Sequence, residues 1–393
     1  MAKETLFTVT EEHLETGLRG IPVGYCVTSS IDPYKGLSYV GHPIATLATR
    51  DPIEVIYLLY TGREGTTEEK ARFQEELVKR GRCSEETLES IARLPRKGQA
   101  MDMLAAALLV VGMCEGKGDY REDCLDLIAK MPQIVATVIN HHAGWGKTSV
   151  SKPELGYIEN FVQMLALPGG GSSDLLEIMR LFNILHYDHA GGNLSVFVGK
   201  AVASGLEQMY GAMAAAMTAL AGPRHGRATQ DCLEFVQEVL REVGPSATAQ
   251  AVNRLVRKRL EEGKLLFGFG HAVLRAEDSR ATILYDYCKE HFADNPLVSI
   301  ALLLRSEGSQ ILQENPKITN PHPNVDAISG TLLSAAGFPY PDYFPLLFGL
   351  SRSVGIAIQI VYERLEARSG KGTPIVRPRY VYKPRIIPHP TRK

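Results

Sequence analysis

"DPIEVIYLLYTGREGTTEEKARFQEELVKRG", residues 51 to 81, spells out a helix twice in succession. Asp51 stands where an N-cap is needed, and Pro52 fits the first helical position because that position has no hydrogen bond to lose. Gly62 can close the turn in a left-handed conformation. Thr66 and Thr67, followed by Glu68 and Glu69, open a second helix, and Gly81 ends it. Apolar residues recur every three to four positions between these signals, the period of a helix with one buried face.

The same pattern continues outward in both directions. "SEETLESIARL", "QAMDMLAAALLVVGM", "YREDCLDLIAKMPQIVATVINHHAG" and "SDLLEIMRLFNILHYDH" are helical in period. So are "VGKAVASGLEQMYGAMAAAMTALAG", "TQDCLEFVQEVLREVG", "TAQAVNRLVRKRLEEG" and "EDSRATILYDYCKEHF". "NPLVSIALLLRSEGSQILQEN", "VDAISGTLLSAAG" and "DYFPLLFGLSRSVGIAIQIVYERLEARSG" complete the set. No alternation of strands and helices is visible, so the expected fold is mainly α. The exception is residues 17–43, which mix Thr, Ser, Val and Tyr with Gly and Pro and read as extended chain with a hairpin near Asp32-Pro33. Segments apolar on every side, such as "YGAMAAAMTALAG", must lie between other helices or at a subunit interface. "TPIVRPRYVYKPRIIPHPTRK", residues 373–393, is too rich in proline to be helical and reads as an extended arm.

Composition narrows the function. The chain has 393 residues, 45% of them apolar, enough for two domains or one large one. Its net charge of −1 argues against a nucleic-acid partner. None of the six cysteines forms a C-x-x-C pair or a zinc spacing, which points to a reducing compartment and buried thiols. Residues 1–20 lack the apolar core of a signal peptide, and no apolar run reaches the ~20 residues of a membrane span, so the expectation is no membrane and a cytoplasmic location.

Two motifs fail on inspection. "GWGKTS", residues 144–149, lacks the first glycine and the preceding strand of a phosphate loop. The histidines of "NHH", residues 140–142, have no further ligand at helical spacing, so they read as helix-end donors, and no metal is expected.

Four segments carry chemistry. In "LAGPRHGRATQD", residues 220–231, His225 lies where a helix begins. A helix N-terminus would hold the imidazole neutral, ready to donate to a carbonyl that is becoming an enolate. In "LFGFGHAVLRAEDSR", residues 266–280, Gly268 and Gly270 let backbone approach a ligand beside His271, with Arg275 and Arg280 following. In "NPHPNVDAISG", residues 320–330, Asp326 begins an apolar helix. It is either a plain N-cap or a general base with its pKa raised by burial. In "LHYDHAGGN", residues 185–193, His189 precedes two glycines. Together with Arg352 and Arg377, this inventory suits proton abstraction next to a carbonyl, with an anion held by arginines.

These segments, in this order, resemble the signatures of the citrate synthase family, as does "LFGLSRSVG" at 347–355. The similarity runs from about Gly17 to Pro378, and "GHAVLR" and "VDAISG" look like the mitochondrial branch. The resemblance implies a mainly helical homodimer with shared active sites. Each chain would have a large domain (1–225 and 332–393), a small domain (226–331) and an arm over 372–393, with the site in the cleft between domains. It implies condensation of acetyl-CoA, oxaloacetate and water to citrate and CoA, with acetyl-CoA a substrate and no cofactor. Asp326 would be the base, His225 would stabilise the enolate, and His271 would protonate the oxaloacetate carbonyl. His189, Arg280, Arg352 and Arg377 would bind oxaloacetate, Arg377 reaching in from the other subunit. Arg275 would meet a CoA phosphate, with Leu265, Leu266, Phe267, Gly268, Phe269 and Gly270 near the adenine. Phe267 stands where the family usually has proline, and "GQAMD" at 98–102 lacks the family's histidine and proline. A methylcitrate synthase using propionyl-CoA, a citryl-CoA lyase and an inactive helical scaffold are the alternatives.

Overall fold

The computed structural model describes residues 5–385; residues 386–393 of the expected arm lie outside the described residues. The chain begins with a 3-10 turn at Glu11–Glu15 and an antiparallel sheet, β1 (Ser29–Asp32), β2 (Gly36–Tyr39) and β3 (His42–Pro43). The hairpin expected at Asp32-Pro33 is there, and its turn is tied by Asp32 Oδ1, which accepts from the backbone N–H of Tyr34 and Lys35.

Helices then follow almost without interruption. They are α1 (Ile44–Leu47), α2 (Pro52–Thr61), α3 (Thr67–Arg80), α4 (Glu85–Ala92), α5 (Ala100–Glu115), α6 (Tyr120–Ala143), α7 (Tyr157–Met164) and α8 (Ser173–His186). The opening stretch behaves as its residues dictate. Asp51 accepts from Ile53 N at 2.8 Å, Gly62 closes α2 with φ 70°, and Thr66 and Glu69 form a reciprocal capping box. Next come α9 (Leu194–Ser204), α10 (Met209–Leu220), α11 (Ala228–Val243), α12 (Ala249–Glu261), α13 (Ser279–His291), α14 (Pro296–Gln313), α15 (Asp326–Ala335) and α16 (Phe344–Val361). The segment read as one helical run from Val198 to Gly222 is two helices. Gly205 ends α9, and Leu206 takes a left-handed φ of 67° before α10 starts.

Helices α6 and α16 form the centre. Almost every residue of α16 is buried, and the stretch 341–370, though apolar enough by composition to cross a membrane, is spent on packing against α6, α8, α9 and α10. Helix α6 runs through Pro132 and closes at Gly144. The histidines at its end bond to a different loop: His141 Nε2 lies 2.8 Å from Leu94 O and His142 Nε2 3.2 Å from Gly98 O. Helices α11 to α15 pack chiefly on one another, and the hairpin wedges between them and the rest. Pro33 O accepts from Arg275 N at 2.8 Å on one side, while the buried Tyr39 hydroxyl donates to Ile184 O at 2.9 Å on the other.

Candidate active site

Helix termini bring the expected residues together. His189 stands on the turn after α8, His225 on the turn between α10 and α11, and His271 on the glycine loop before α13. Arg280 lies in the first turn of α13, Asp326 is the first residue of α15, and Arg352 lies midway along α16.

The glycine loop is stapled to the segment preceding Asp326. Gly268 O accepts from Asn324 N at 2.8 Å, Gly270 N donates to His322 O at 3.1 Å, and Asn324 Nδ2 donates to Gly270 O at 3.0 Å. Gly268 has φ 81°, and a Cβ there would stand 2.7 Å from Ala327, so only glycine fits. These bonds place His271 and Asp326 in one constellation although 54 residues separate the two loops.

Two of the histidines have their ring proton assigned by backbone. His271 Nδ1 accepts from Val273 N at 3.1 Å and Leu274 N at 3.0 Å, which leaves the proton on Nε2. His225 Nε2 accepts from Ser195 N at 3.3 Å, with the Ser195 hydroxyl 2.9 Å away, which leaves the proton on Nδ1. Burial, followed by the charge of Arg352, pulls the His225 pKa down to about 4. These causes replace the helix terminus expected from the sequence. Burial and Arg280 likewise lower the pKa of His189 and His271, so all three rings are neutral at pH 7. His189 and His271 meet edge to face at 5.3 Å.

Asp326 is not an N-cap. Val325 occupies that position, and Asn324 Oδ1 accepts the Asp326 N–H. Thr229 Oγ1 donates to Asp326 Oδ1 at 2.6 Å. Burial raises the carboxyl pKa above the usual range, and the Thr229 bond and the arginines hold it back only in part.

The two arginines differ. Arg280 is 4% exposed and clamped by Asp278, with Nε 3.1 Å from Oδ1 and Nη2 2.7 Å from Oδ2. Burial works to raise the Asp278 pKa, but the guanidinium holds it below the ordinary value. Arg352 is 2% exposed and has no carboxylate partner among the described residues; Nε donates to His186 O at 2.9 Å, and the guanidinium lies 4.7 Å over the Phe348 ring. Burial depresses its pKa to about 10. A buried cation that lacks an anion is a seat for an anionic ligand.

Two expected residues stand apart. Arg275 is exposed and spends Nη1 on Val273 O and Leu274 O, within its own loop. Arg377 is exposed on the arm, which is tied down where Val376 N donates to Ser204 Oγ at 2.9 Å. Leu265 is 74% exposed, while Phe267 packs 6.1 Å from Phe235, with the Arg259 guanidinium over both rings and its Nε on Leu265 O. Sequence reasoning missed Ser195, Thr229, Asp278 and Phe348. Thr229 and Phe348 each lie four residues, one helical turn, from a residue singled out, and that spacing was the available signal.

Comparison with known proteins gives the family. Residues 17–379 match the family model described as citrate synthase, C-terminal domain. The chain is 33% identical to the mitochondrial citrate synthase of Citrus maxima, over 97% of this chain and 84% of that one. It is 30% identical to the peroxisomal citrate synthase of Saccharomyces cerevisiae, over 92% and 83%. The citrate synthase of Thermoplasma acidophilum, solved as a ternary complex with carboxymethyl coenzyme A and oxaloacetate, superposes with a TM-score of 0.80 at 25% identity, covering 95% of this chain and 98% of that one. The names of the relatives overturn the cytoplasmic location expected above, because they place those enzymes in organelles. That expectation leaned on the composition of residues 1–20, which carries no information about compartment. The family match and the shared fold, together with signatures that converge on one buried cluster, show that this chain belongs to the citrate synthase family.

Proposed function

We propose that this cluster is where acetyl-CoA, oxaloacetate and water are condensed to citrate and CoA. The observation that carries it is Arg352, a buried guanidinium with no carboxylate of its own, beside three neutral histidines and a carboxylate of raised pKa. Oxaloacetate, a dianionic keto acid, supplies the missing negative charge to Arg352 and Arg280, with His189 beside them. Asp326 takes a proton from the acetyl methyl group. That methyl is a very weak acid, so the enolate must be stabilised as it forms. His225, with its proton on Nδ1, donates to the thioester oxygen. His271, with its proton on Nε2, gives it to the oxaloacetate ketone as the new carbon–carbon bond closes. Water then hydrolyses the citryl thioester and releases CoA. The scheme draws on side chains alone.

CoA binding is read along the loop from Leu265 to Gly270, with Arg275 turning from its own carbonyls to a phosphate. Helices α11 to α15, which pack chiefly on one another, are read as the small domain. The partner subunit covers exposed apolar residues on α5 and the arm, among them Met113, Ile375 and Tyr382, and its arm brings an arginine equivalent to Arg377. The Thermoplasma complex supports the assignment of both substrates. The test is thiol release from acetyl-CoA and from propionyl-CoA, each with and without oxaloacetate. Release should depend on oxaloacetate and be faster with acetyl-CoA, one methylene being worth about 1–3 kcal/mol in such a pocket. Equal or faster release from propionyl-CoA would reassign the enzyme to methylcitrate formation.

A further inference from the structure

A second buried polar chain lies behind the reacting cluster. Asp188, fully buried, directly precedes His189. Its carboxylate accepts from Thr28 Oγ1, from Ser29 Oγ at 2.7 Å and from Gln359 Nε2 at 2.9 Å. Gln359 is 1% exposed and offers Oε1 to Lys200 Nζ at 3.3 Å. Lys200 pairs with Glu363 Oε1 at 2.9 Å, both residues being buried. Glu363 sits in a π-helical turn, Tyr362–Glu366, and its carbonyl accepts from Thr373 N at 2.8 Å. The extended arm that carries Arg377 starts from that bond. The chain therefore runs without a gap from the turn holding His189 to the root of the arm.

The turn needs to be held. Ala190 has φ 57°, a left-handed conformation that a non-glycine residue keeps only when its surroundings impose it. Ser29 Oγ accepts from Ala190 N at 2.7 Å. A Cβ on Gly191 would stand 3.1 Å from both Gln359 Oε1 and Lys200 Nζ, so the turn rests directly on this pair. Buried ion pairs contribute little net stability, and their best-attested use is to fix a geometry.

We infer that Lys200 is a positioning residue for oxaloacetate, bracing the His189 turn through Gln359 and the root of the Arg377 arm through Glu363. The inference rests on the reading that His189 and Arg377 bind oxaloacetate.

The test is steady-state kinetics on full-length Lys200→Met, Lys200→Arg and Gln359→Met, with His189→Ala and Arg377→Ala in parallel. Lys200→Met should raise the oxaloacetate KM by about 10-fold, within the ~10²-fold that a 1 Å misplacement can cost. The acetyl-CoA KM should stay within about twofold, a split that general loosening of the fold would not produce. Lys200→Arg should restore most of the loss. Gln359→Met leaves the Lys200–Glu363 pair intact and should reproduce the split, so it decides the matter if Lys200→Met does not fold. An unchanged oxaloacetate KM in the folded Lys200 or Gln359 variant, while His189→Ala and Arg377→Ala both raise it, overturns the inference alone. An unchanged KM in His189→Ala and Arg377→Ala overturns the site reading and the inference with it.

Discussion

At the scale of single residues, the site holds its candidate base in a protonation state that costs stability. Burial raises the pKa of Asp326, so the ionised form needed in a base is disfavoured in the folded protein. Asp326→Asn removes that charge while Oδ1 can still accept from Thr229. The variant should therefore lose about 10²–10⁴-fold in turnover, the usual cost of removing a general base, while melting at the same temperature or higher. A folded variant with near-normal turnover would end the assignment of Asp326 as base. The histidines act with the opposite sign. Burial and the arginines lower the pKa of His186, His189, His225 and His271, so the unfolded chain binds protons on them first. Their contribution is complete above the ordinary value of 6.5 and is lost as pH falls, through about 4 for His225. Asp188 and Asp326, with raised pKa, act in the opposite sense over the same fall in pH, but they are two carboxyls against four rings. The melting temperature should therefore drop steadily from pH 6.5 towards 4.5, and a flat or rising curve across that window would show that these rings titrate normally.

At the scale of elements, two glycines of one loop separate two costs. Gly268 and Gly270 both have φ 81°, so alanine at either meets the left-handed penalty of about 1–2 kcal/mol. At Gly270 the new Cβ would lie 3.7 Å from Asn320 O, an ordinary contact, whereas at Gly268 it would overlap Ala327 at 2.7 Å. Gly268→Ala should cost about 1–3 kcal/mol more than Gly270→Ala, the range for overpacking, and should also slow turnover because Ala327 adjoins Asp326. Equal losses in urea melts would mean that the loop does not press on α15. The contrast also shows what the sequence made legible. Capping and period located α2, α3, α6 and the start of α15, because those signals act within one or two turns. The six residues that converge were legible as motif members, five of them near a glycine or a helix end and Arg352 midway along α16. What lay beyond reach depends on distance in space. The Asp278 clamp on Arg280, the Ser195 bond to His225 and the Asn324 staple join groups whose neighbours only the fold selects. The break at Gly205 was missed for a related reason: one glycine in a small-residue run is compatible with a continuous helix, and only packing against α5 and α16 divides it.

At the scale of the whole molecule, the proposed site lacks the fourth oxaloacetate-binding group that the resemblance implies, Arg377. Arg377 is exposed on an arm tied to its own chain by the bond between Val376 and Ser204 and, further on, by an exposed Lys383–Glu15 ion pair at 4.0 Å. Between these ties, Tyr380 at 90% exposure and Tyr382 at 88% have nothing to pack against among the described residues. Large apolar side chains left open along an extended segment fit a surface supplied by a second copy. If that copy takes up the arm, each site is built from two chains, one giving His271 and the other Arg377. Arg377→Ala and His271→Ala should then each be nearly inactive as homodimers. In a mixed dimer, one site carries both defects and the other carries neither, so exchange of subunits should restore up to half of the wild-type activity per dimer. Truncating an arginine on a buried carboxylate costs about 2–5 kcal/mol, a background low enough for that recovery to stand out. The measurement is thiol release after the two variants, carrying different affinity tags, are unfolded together, refolded and purified through both tags. Tag-verified heterodimers no more active than their parents would place Arg377 in the service of its own chain.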